Sequence, residues 1–328
     1  MSVGLRMLLI LILLAVVVTL ISWMVRDSQP EGTTPIRWES SRQCEECHQE
    51  VYREWHGSHH QIAYLNPEVR ALSDDFRNKE CQACHLPRPV SVTGYAQRSL
   101  PRMTLPDEGV SCLTCHLGAD GGILGRVDRA DAPCRPRASP ELLSTEMCES
   151  CHNQHATTDQ YRASPFAKAG GTCRECHMPE LERTTTAGVR AGFMHVYKGC
   201  HDLETLQSAG KFVVTREGNE LVLSLTNVAA GHNFPTEERH RAVDMMVRFE
   251  TAPGEWGEWE RAYRFRQPYR DETGPDTQLP AGETKTVRVD WPAGASKAQA
   301  RLWYRLTPYV TDDDPRSTLL FEEEVAAE

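Results

Sequence analysis

Five times in this chain a histidine directly follows a Cys-x-x-Cys pair: Cys44-Glu45-Glu46-Cys47-His48, Cys81-Gln82-Ala83-Cys84-His85, Cys112-Leu113-Thr114-Cys115-His116, Cys148-Glu149-Ser150-Cys151-His152 and Cys173-Arg174-Glu175-Cys176-His177. This is the attachment signature of c-type haem. Two thiols reach the two vinyl groups along one porphyrin edge, and the next side chain turns under the ring to give its imidazole to iron. Zinc knuckles and redox dithiols also use Cys-x-x-Cys, but neither needs the histidine. With 13 histidines in 328 residues, five such placements by chance have odds of about one in ten million. The pattern predicts five covalent haems. Cys44, Cys47, Cys81, Cys84, Cys112, Cys115, Cys148, Cys151, Cys173 and Cys176 are the attachment points, and His48, His85, His116, His152 and His177 the proximal iron ligands.

Intervals of 37, 31, 36 and 25 residues between the proximal histidines exclude a strict repeat. The five motifs fit within 134 residues, about 27 per haem, too few to wrap each macrocycle separately, so the haems should crowd together and exchange electrons. Leu, Ile, Val and Phe supply only 25 of the 162 residues from Cys44 to Thr205, a level that would mean disorder if side chains alone had to build the interior. Porphyrins are the expected core of a mostly helical and irregular domain over residues 42–209.

Eight histidines remain: His56, His59, His60, His155, His195, His201, His232 and His240. That is enough to close every iron with a second imidazole. A closed iron passes electrons and does not readily bind a substrate, so the supply favours a carrier over a catalyst.

Four segments carry a family resemblance: Tyr52-Arg53-Glu54-Trp55-His56-Gly57-Ser58-His59-His60, Glu108-Gly109-Val110-Ser111 running into Cys112–His116, Cys173–His177 followed by Met178-Pro179, and Gly231-His232-Asn233-Phe234-Pro235-Thr236. From Arg42 to Arg241 the chain resembles the multihaem cytochromes c related to hydroxylamine oxidoreductase and to the tetrahaem electron carrier of ammonia oxidisers. The resemblance implies distal ligands at His60 (two places after Ser58 of the Trp55-x-x-Ser58 element), at His195 and His201 ahead of Asp202, and at His232. It leaves the fifth unassigned; His155, three residues past His152, is the candidate, with His240 next. Nitrite-reducing relatives place a lysine at one proximal position, and hydroxylamine oxidation uses a tyrosine-crosslinked haem among eight. Five histidines at five sites here imply the cytochrome without those reactions.

Cys134 and Cys200 lie outside the motifs. In an oxidising compartment they are the candidate disulfide, closing a 65-residue loop and stabilising by roughly 3 to 4 kcal/mol. The sharper alternative is a thiolate on or beside an open haem that handles sulfur compounds.

From Met7 to Val25 the chain runs nineteen residues without a charge, about the 30 Å of a bilayer's hydrocarbon core. Residues 1–26 therefore read as an uncleaved anchor. A cleavable signal peptide, with its shorter apolar region and small-residue end, is the alternative. Arg6 precedes the span, which places the body outside, in the periplasm of an inner-membrane-anchored protein. Residues 27–41, rich in proline and glycine, read as a linker.

After Gly210 the pattern changes to alternation. Phe212–Arg216 and Leu221–Thr226 read as a hairpin about Glu217-Gly218-Asn219, and Ala242–Glu250, Trp259–Gln267, Lys285–Trp291 and Ala300–Leu306 as further strands. About six strands over residues 210–328 predict an all-β, sandwich-like domain, docked on the haem domain if His232 ligates iron. Arg264, Arg266 and Arg270 either face haem propionates or form a solvated strand face. Asp312–Asp314 and Glu322–Glu324 read as solvated charge.

Lys and Arg number 36 against 46 Asp and Glu, with no basic run, so no nucleic-acid partner is expected. The expected role is electron relay between a membrane donor and a periplasmic or outer-membrane acceptor, with other redox proteins as partners. The competing expectations are a reductase of a small nitrogen or sulfur compound with one open haem, a quinol dehydrogenase drawing on a quinol pocket near the membrane, and a subunit of a haem wire.

Overall fold

The computed structural model describes residues 4, 12–20, 36–185, 188–236, 241–269 and 272–327. The chain divides into two compact units, Met1–Arg37 and Trp38–Glu328. In the first, residues 12–20 are helical and exposed; the rest of the Met7–Val25 span, and the linker up to residue 35, lie outside the described residues. Among the described residues no helix is long and apolar enough to cross a membrane.

Among the described residues the second unit begins with eleven short α-helices: α1 (Arg42–Glu45), α2 (Gln49–Trp55), α3 (Pro67–Leu72), α4 (Lys79–His85), α5 (Val90–Thr93), α6 (Cys112–His116), α7 (Thr145–His152), α8 (Thr157–Ala163), α9 (Pro165–Lys168), α10 (Cys173–His177) and α11 (Leu203–Ala209). None exceeds eight residues, well below the length at which a helix holds itself in water, so each depends on what packs against it. Four of them, α4, α6, α7 and α10, end on a motif histidine. Positions i, i+3 and i+4 share a helix face, so both thiols and the imidazole point to the same side. Local capping starts these turns. Asn78 Oδ1 accepts from the Glu80 amide at 3.0 Å ahead of α4, and Ser111 and Thr114 form a capping box on α6. The first motif differs, because its histidine stands outside α1 at the N-cap of α2.

Two small sheets interrupt the helices. β1 (Leu124–Gly125) and β2 (Arg137–Ala138) pair in parallel, and β3 (Glu180–Thr185) and β4 (Gly188–Phe193) form an antiparallel ribbon. Neither was apparent in the sequence.

From Gly210 onward the chain is antiparallel sheet. β5 (Gly210–Glu217), β6 (Glu220–Asn227) and β10 (Thr284–Asp290) form one sheet in the order β10-β6-β5. β7 (Ala242–Ala252), β8 (Glu255–Trp256), β9 (Glu260–Phe265), β11 (Lys297–Arg305) and β12 (Ser317–Ala326) form a second, with β7 and β12 flanking β11 and β8 and β9 both on β7. Each expected strand is present with its ends moved by a few residues. β12 was missed, and it carries the acidic run: Glu322 pairs with Arg301 at 3.1 Å and Glu324 with Lys297 at 3.0 Å, so those carboxylates serve strand pairing rather than a free tail.

Inward residues of both sheets, among them Phe212, Leu221, Leu223, Leu225, Val243, Met245, Val247, Ala300 and Leu302, join one hydrophobic cluster with Leu206 and Ala209 of α11. Alternation does the sorting in β6. Leu221, Leu223 and Leu225 are fully buried, worth about 1.5 to 3 kcal/mol each. Ser224 and Thr226 face away and bond Thr286 and Thr284 across the strand pair at 3.0 and 2.8 Å.

The charged residues of this region are also tied down. Arg264 grips the buried Asp244 through two nitrogens at 2.6 and 2.7 Å, and Arg305 joins the same carboxylate at 2.6 Å and Asp312 at 2.5 Å. Arg266 pairs with Glu272. Arg264 and Arg266 are thus committed to carboxylates of their own region, Asp312 is not simply solvated, and Arg270 lies outside the described residues.

Candidate haem-binding site

The ring nitrogens of five predicted ligands follow one rule. Nδ1 of His85, His116 and His177 lies 3.1, 2.9 and 2.6 Å from the carbonyl oxygens of Ala63, Leu124 and Lys198. Nδ1 of His195 and His232 lies 2.7 and 2.9 Å from those of Phe193 and Asn233. An Nδ1–H that donates to a carbonyl fixes the tautomer and leaves the Nε2 lone pair for a metal. Two distal candidates are also held neutral. Burial, then the proximity of His152, holds His60 down to about 3, and burial with His116 nearby holds His195 down to about 4.

Three pairs of rings then face one another at nearly the same separation. The centroids of His60 and His152 are 6.1 Å apart, those of His116 and His195 6.4 Å, and those of His177 and His232 6.3 Å. Two imidazoles on one iron need about 2 Å of bond on each side and roughly 1 Å from nitrogen to ring centre, or about 6 Å in all. Each pair joins one predicted proximal to one predicted distal ligand, so these residues fit a haem between them.

The other distal candidates are placed differently. His201 stacks on His59 at 3.7 Å and 16°, too close for an iron between the two, so these two rings are not ligands to a common metal. His155 lies in the turn between α7 and α8. His240 lies outside the described residues. His56 packs beside Tyr52 and Trp55. On the proximal side His85 meets Phe76 at 5.7 Å.

The motifs sit against one another. The Cys44 thiol lies beside that of Cys112, Cys148 beside Cys173 and Cys151 beside Cys84, each pair close enough to influence the other's ionisation. The first motif therefore meets the third, and the fourth meets both the second and the fifth. The buried Glu108 reinforces the first junction. Its Oε2 accepts from the Ser41 amide and hydroxyl at 3.0 and 2.8 Å, and Ser41 Oγ accepts from the Cys112 amide at 3.1 Å.

Cys134 and Cys200 do not form the expected disulfide; among the described residues no cysteine pair is bridged. Cys134 stands close enough to Cys44 and Cys47 to interact with them electrostatically, while Cys200 packs against the hydrophobic cluster of the sheets.

Several residues invisible to motif reading complete the site. A Cβ on Gly109, at φ +39°, would lie 2.3 Å from the Gln61 carbonyl oxygen and 2.5 Å from that of His60, so glycine is required where the His60 turn meets the approach to the third motif. The Val110 amide bonds the His60 carbonyl at 2.8 Å across that junction. Tyr197 wedges between two distal candidates, 4.0 Å from His60 and 5.8 Å from His195. Buried polar atoms without a protein partner include Tyr161 Oη, Arg174 Nε and Arg183 Nε. Orphaned donors beside the motifs suit a cofactor that carries carboxylates of its own.

The match to a known family model, that of cytochrome c554 and c-prime, spans residues 43–117. A solved structure, a penta-heme cytochrome c552 from Thermochromatium tepidum, superposes with a TM-score of 0.67 at 19% identity, covering 89% of this chain and 100% of that one. No curated protein matches the chain. These likenesses show the fold of a multihaem cytochrome c, and the motifs and ring geometry fit c-type haem as the cofactor, consistent with electron transfer.

Proposed function

We propose that the chain carries five haems, one on each Cys-x-x-Cys-His motif, and relays single electrons along them. The observation that carries the reading is the set of three histidine pairs held 6.1 to 6.4 Å apart. Those distances support His60 with His152, His195 with His116 and His232 with His177 as axial pairs, each closed to substrate. His48 and His85 take their sixth ligands from the remaining candidates, with His201 and His155 first among them. Bis-imidazole iron supplies one-electron exchange. The protein's part is to fix the ligand rings, bury them and set neighbouring sites in contact, as the Cys44–Cys112, Cys148–Cys173 and Cys84–Cys151 contacts do.

On this reading the sheets form a sandwich docked on the haem region. The contacts that support docking are Thr157 with Thr236 at 3.0 Å, Gln160 with Gln278 at 3.0 Å, and the close fit of Gly231 against the Tyr161 ring. His232 reaches its iron from this side. Relationship to the hydroxylamine oxidoreductase group, an anchor at the N-terminus, a periplasmic body, and redox-protein or quinol partners belong to the same proposal, supported by the sequence patterns.

The test is the haem content and spin state of the exported protein. Mass analysis should find five added macrocycles. Magnetic resonance of the oxidised protein should be dominated by low-spin iron, and the reduced protein should pass electrons to a soluble cytochrome acceptor. Fewer than five macrocycles, or a high-spin majority, would overturn the reading.

A further inference from the structure

Arg183 of β3 is 6% exposed, and its surroundings are built around it. Its Nη2 donates to the carboxylate of Glu54 on α2 and, at 2.6 Å, to the Phe193 carbonyl. Glu54 Oε2 also accepts from the backbone amide of His195 at 2.8 Å. One carboxylate thus ties a buried cation to the main chain of a predicted distal ligand. The stem of Arg183 lies across the facing strand, where a Cβ on Gly192 would come within 2.9 Å of its Cδ and 3.1 Å of its Nε. A glycine clears that space. Yet Nε itself is buried without a protein partner, an expensive vacancy for a charged donor. Glu50, the next carboxylate, stands 4.0 Å from Nη1 and is 44% exposed. The guanidinium charge is felt at both His48 and His195, where it opposes their protonation.

We propose that Arg183 anchors a haem propionate through Nε, on the haem of the first or the third motif, and that Glu54 is the counter-charge coupling this anchor to the distal ligand His195. A planar guanidinium with one free edge donor in a buried setting fits a carboxylate better than any neutral acceptor. Its charge is felt at His48 of the first motif and at His195, the ring that faces His116 of the third. Arg183 is a positioning residue that acts on iron through the propionate and through Glu54. A nearby positive charge favours the reduced, less positive iron, and a nearby carboxylate the oxidised one.

The proposal rests on these motifs carrying haem, so the haem content of each variant is measured first by mass. A wild-type protein without macrocycles there would fail the functional reading and not this inference. With full haem content, a redox titration of Arg183→Gln should show one component moved to lower potential, and Glu54→Gln should move the same component to higher potential. Arg183→Gln should also shift the propionate bending band in resonance Raman, which a structural role alone would leave in place. His195→Met marks the third haem, because a His/Met iron has a raised potential. A shift on the marked component assigns the propionate to the third haem, and a shift on another assigns it to the first. Should Arg183→Gln not fold, Gly192→Ala displaces the guanidinium without changing the charge inventory and should give the same downward shift. Unchanged potentials and an unchanged propionate band in a fully haem-loaded Arg183→Gln or Gly192→Ala protein would overturn the proposal.

Discussion

Strand β6 and helix α7 are both eight residues long, but β6 buries Leu221, Val222, Leu223, Leu225 and Asn227 while α7 buries only Met147 and Ser150. The contrast extends to their regions. Past Leu206, two sheets and one helix close over a continuous apolar cluster. Before it, buried apolar side chains such as Trp55, Phe76, Leu86, Val90 and Leu113 are scattered among short helices that could not persist alone. One region is held by its own side chains. The other is organised around positions for a cofactor, so its stability and its chemistry share a single source.

The largest expected effect tests that division. Cys148→Ser combined with Cys151→Ser removes the motif that touches both the second and the fifth. The product should lose one haem by mass and most of the helical far-ultraviolet signal, while the β-sheet signal persists. Next, Leu223→Ala in the sheet cluster should cost about 2 to 5 kcal/mol, read as a lower denaturant midpoint, with haem content and visible spectrum unchanged. Loss of haem in that variant would mean the two regions fold as one.

A smaller change probes the seam. Gly109→Ala forces a Cβ onto the His60 and Gln61 carbonyls and should cost roughly 1 to 3 kcal/mol. It should also turn the iron proposed between His60 and His152 partly high-spin, visible by magnetic resonance.

The smallest expected effect is a pH dependence at the surface of the sheets. Hydrogen bonding to Arg316 holds Asp314 down to about 2 against an ordinary 3.8. Stability from this pair is present above the unfolded value and lost as pH falls through the folded one. The melting temperatures of the parent and Asp314→Asn should therefore differ slightly at pH 5 and converge near pH 2.

What could be read from the sequence follows the same division. The five motifs announce themselves because covalent chemistry dictates their spacing, and the alternation in Leu221, Leu223 and Leu225 announces a buried strand face. β12 escaped because its outward positions are glutamates, which look like a tail until Arg301 and Lys297 are seen opposite them. The β3–β4 ribbon escaped because it is short, mixed in composition and mostly exposed apart from the buried Arg183. Resemblance singles out His60 and His232 as distal candidates, but the approach of their rings to those of His152 and His177 is a property of the folded chain. Glu54 and Arg183 lie 129 positions apart, and no local pattern links them. The expected Cys134–Cys200 bridge failed because an even count of spare thiols says nothing about where they stand.

The carbonyls that fix His85, His116, His177, His195 and His232 belong to the main chain. No single substitution can delete an acceptor that every residue type possesses. The orientation of these rings is therefore robust to side-chain replacement so long as the backbone path holds, and such a ligand cage could outlast most of the letters that once encoded it.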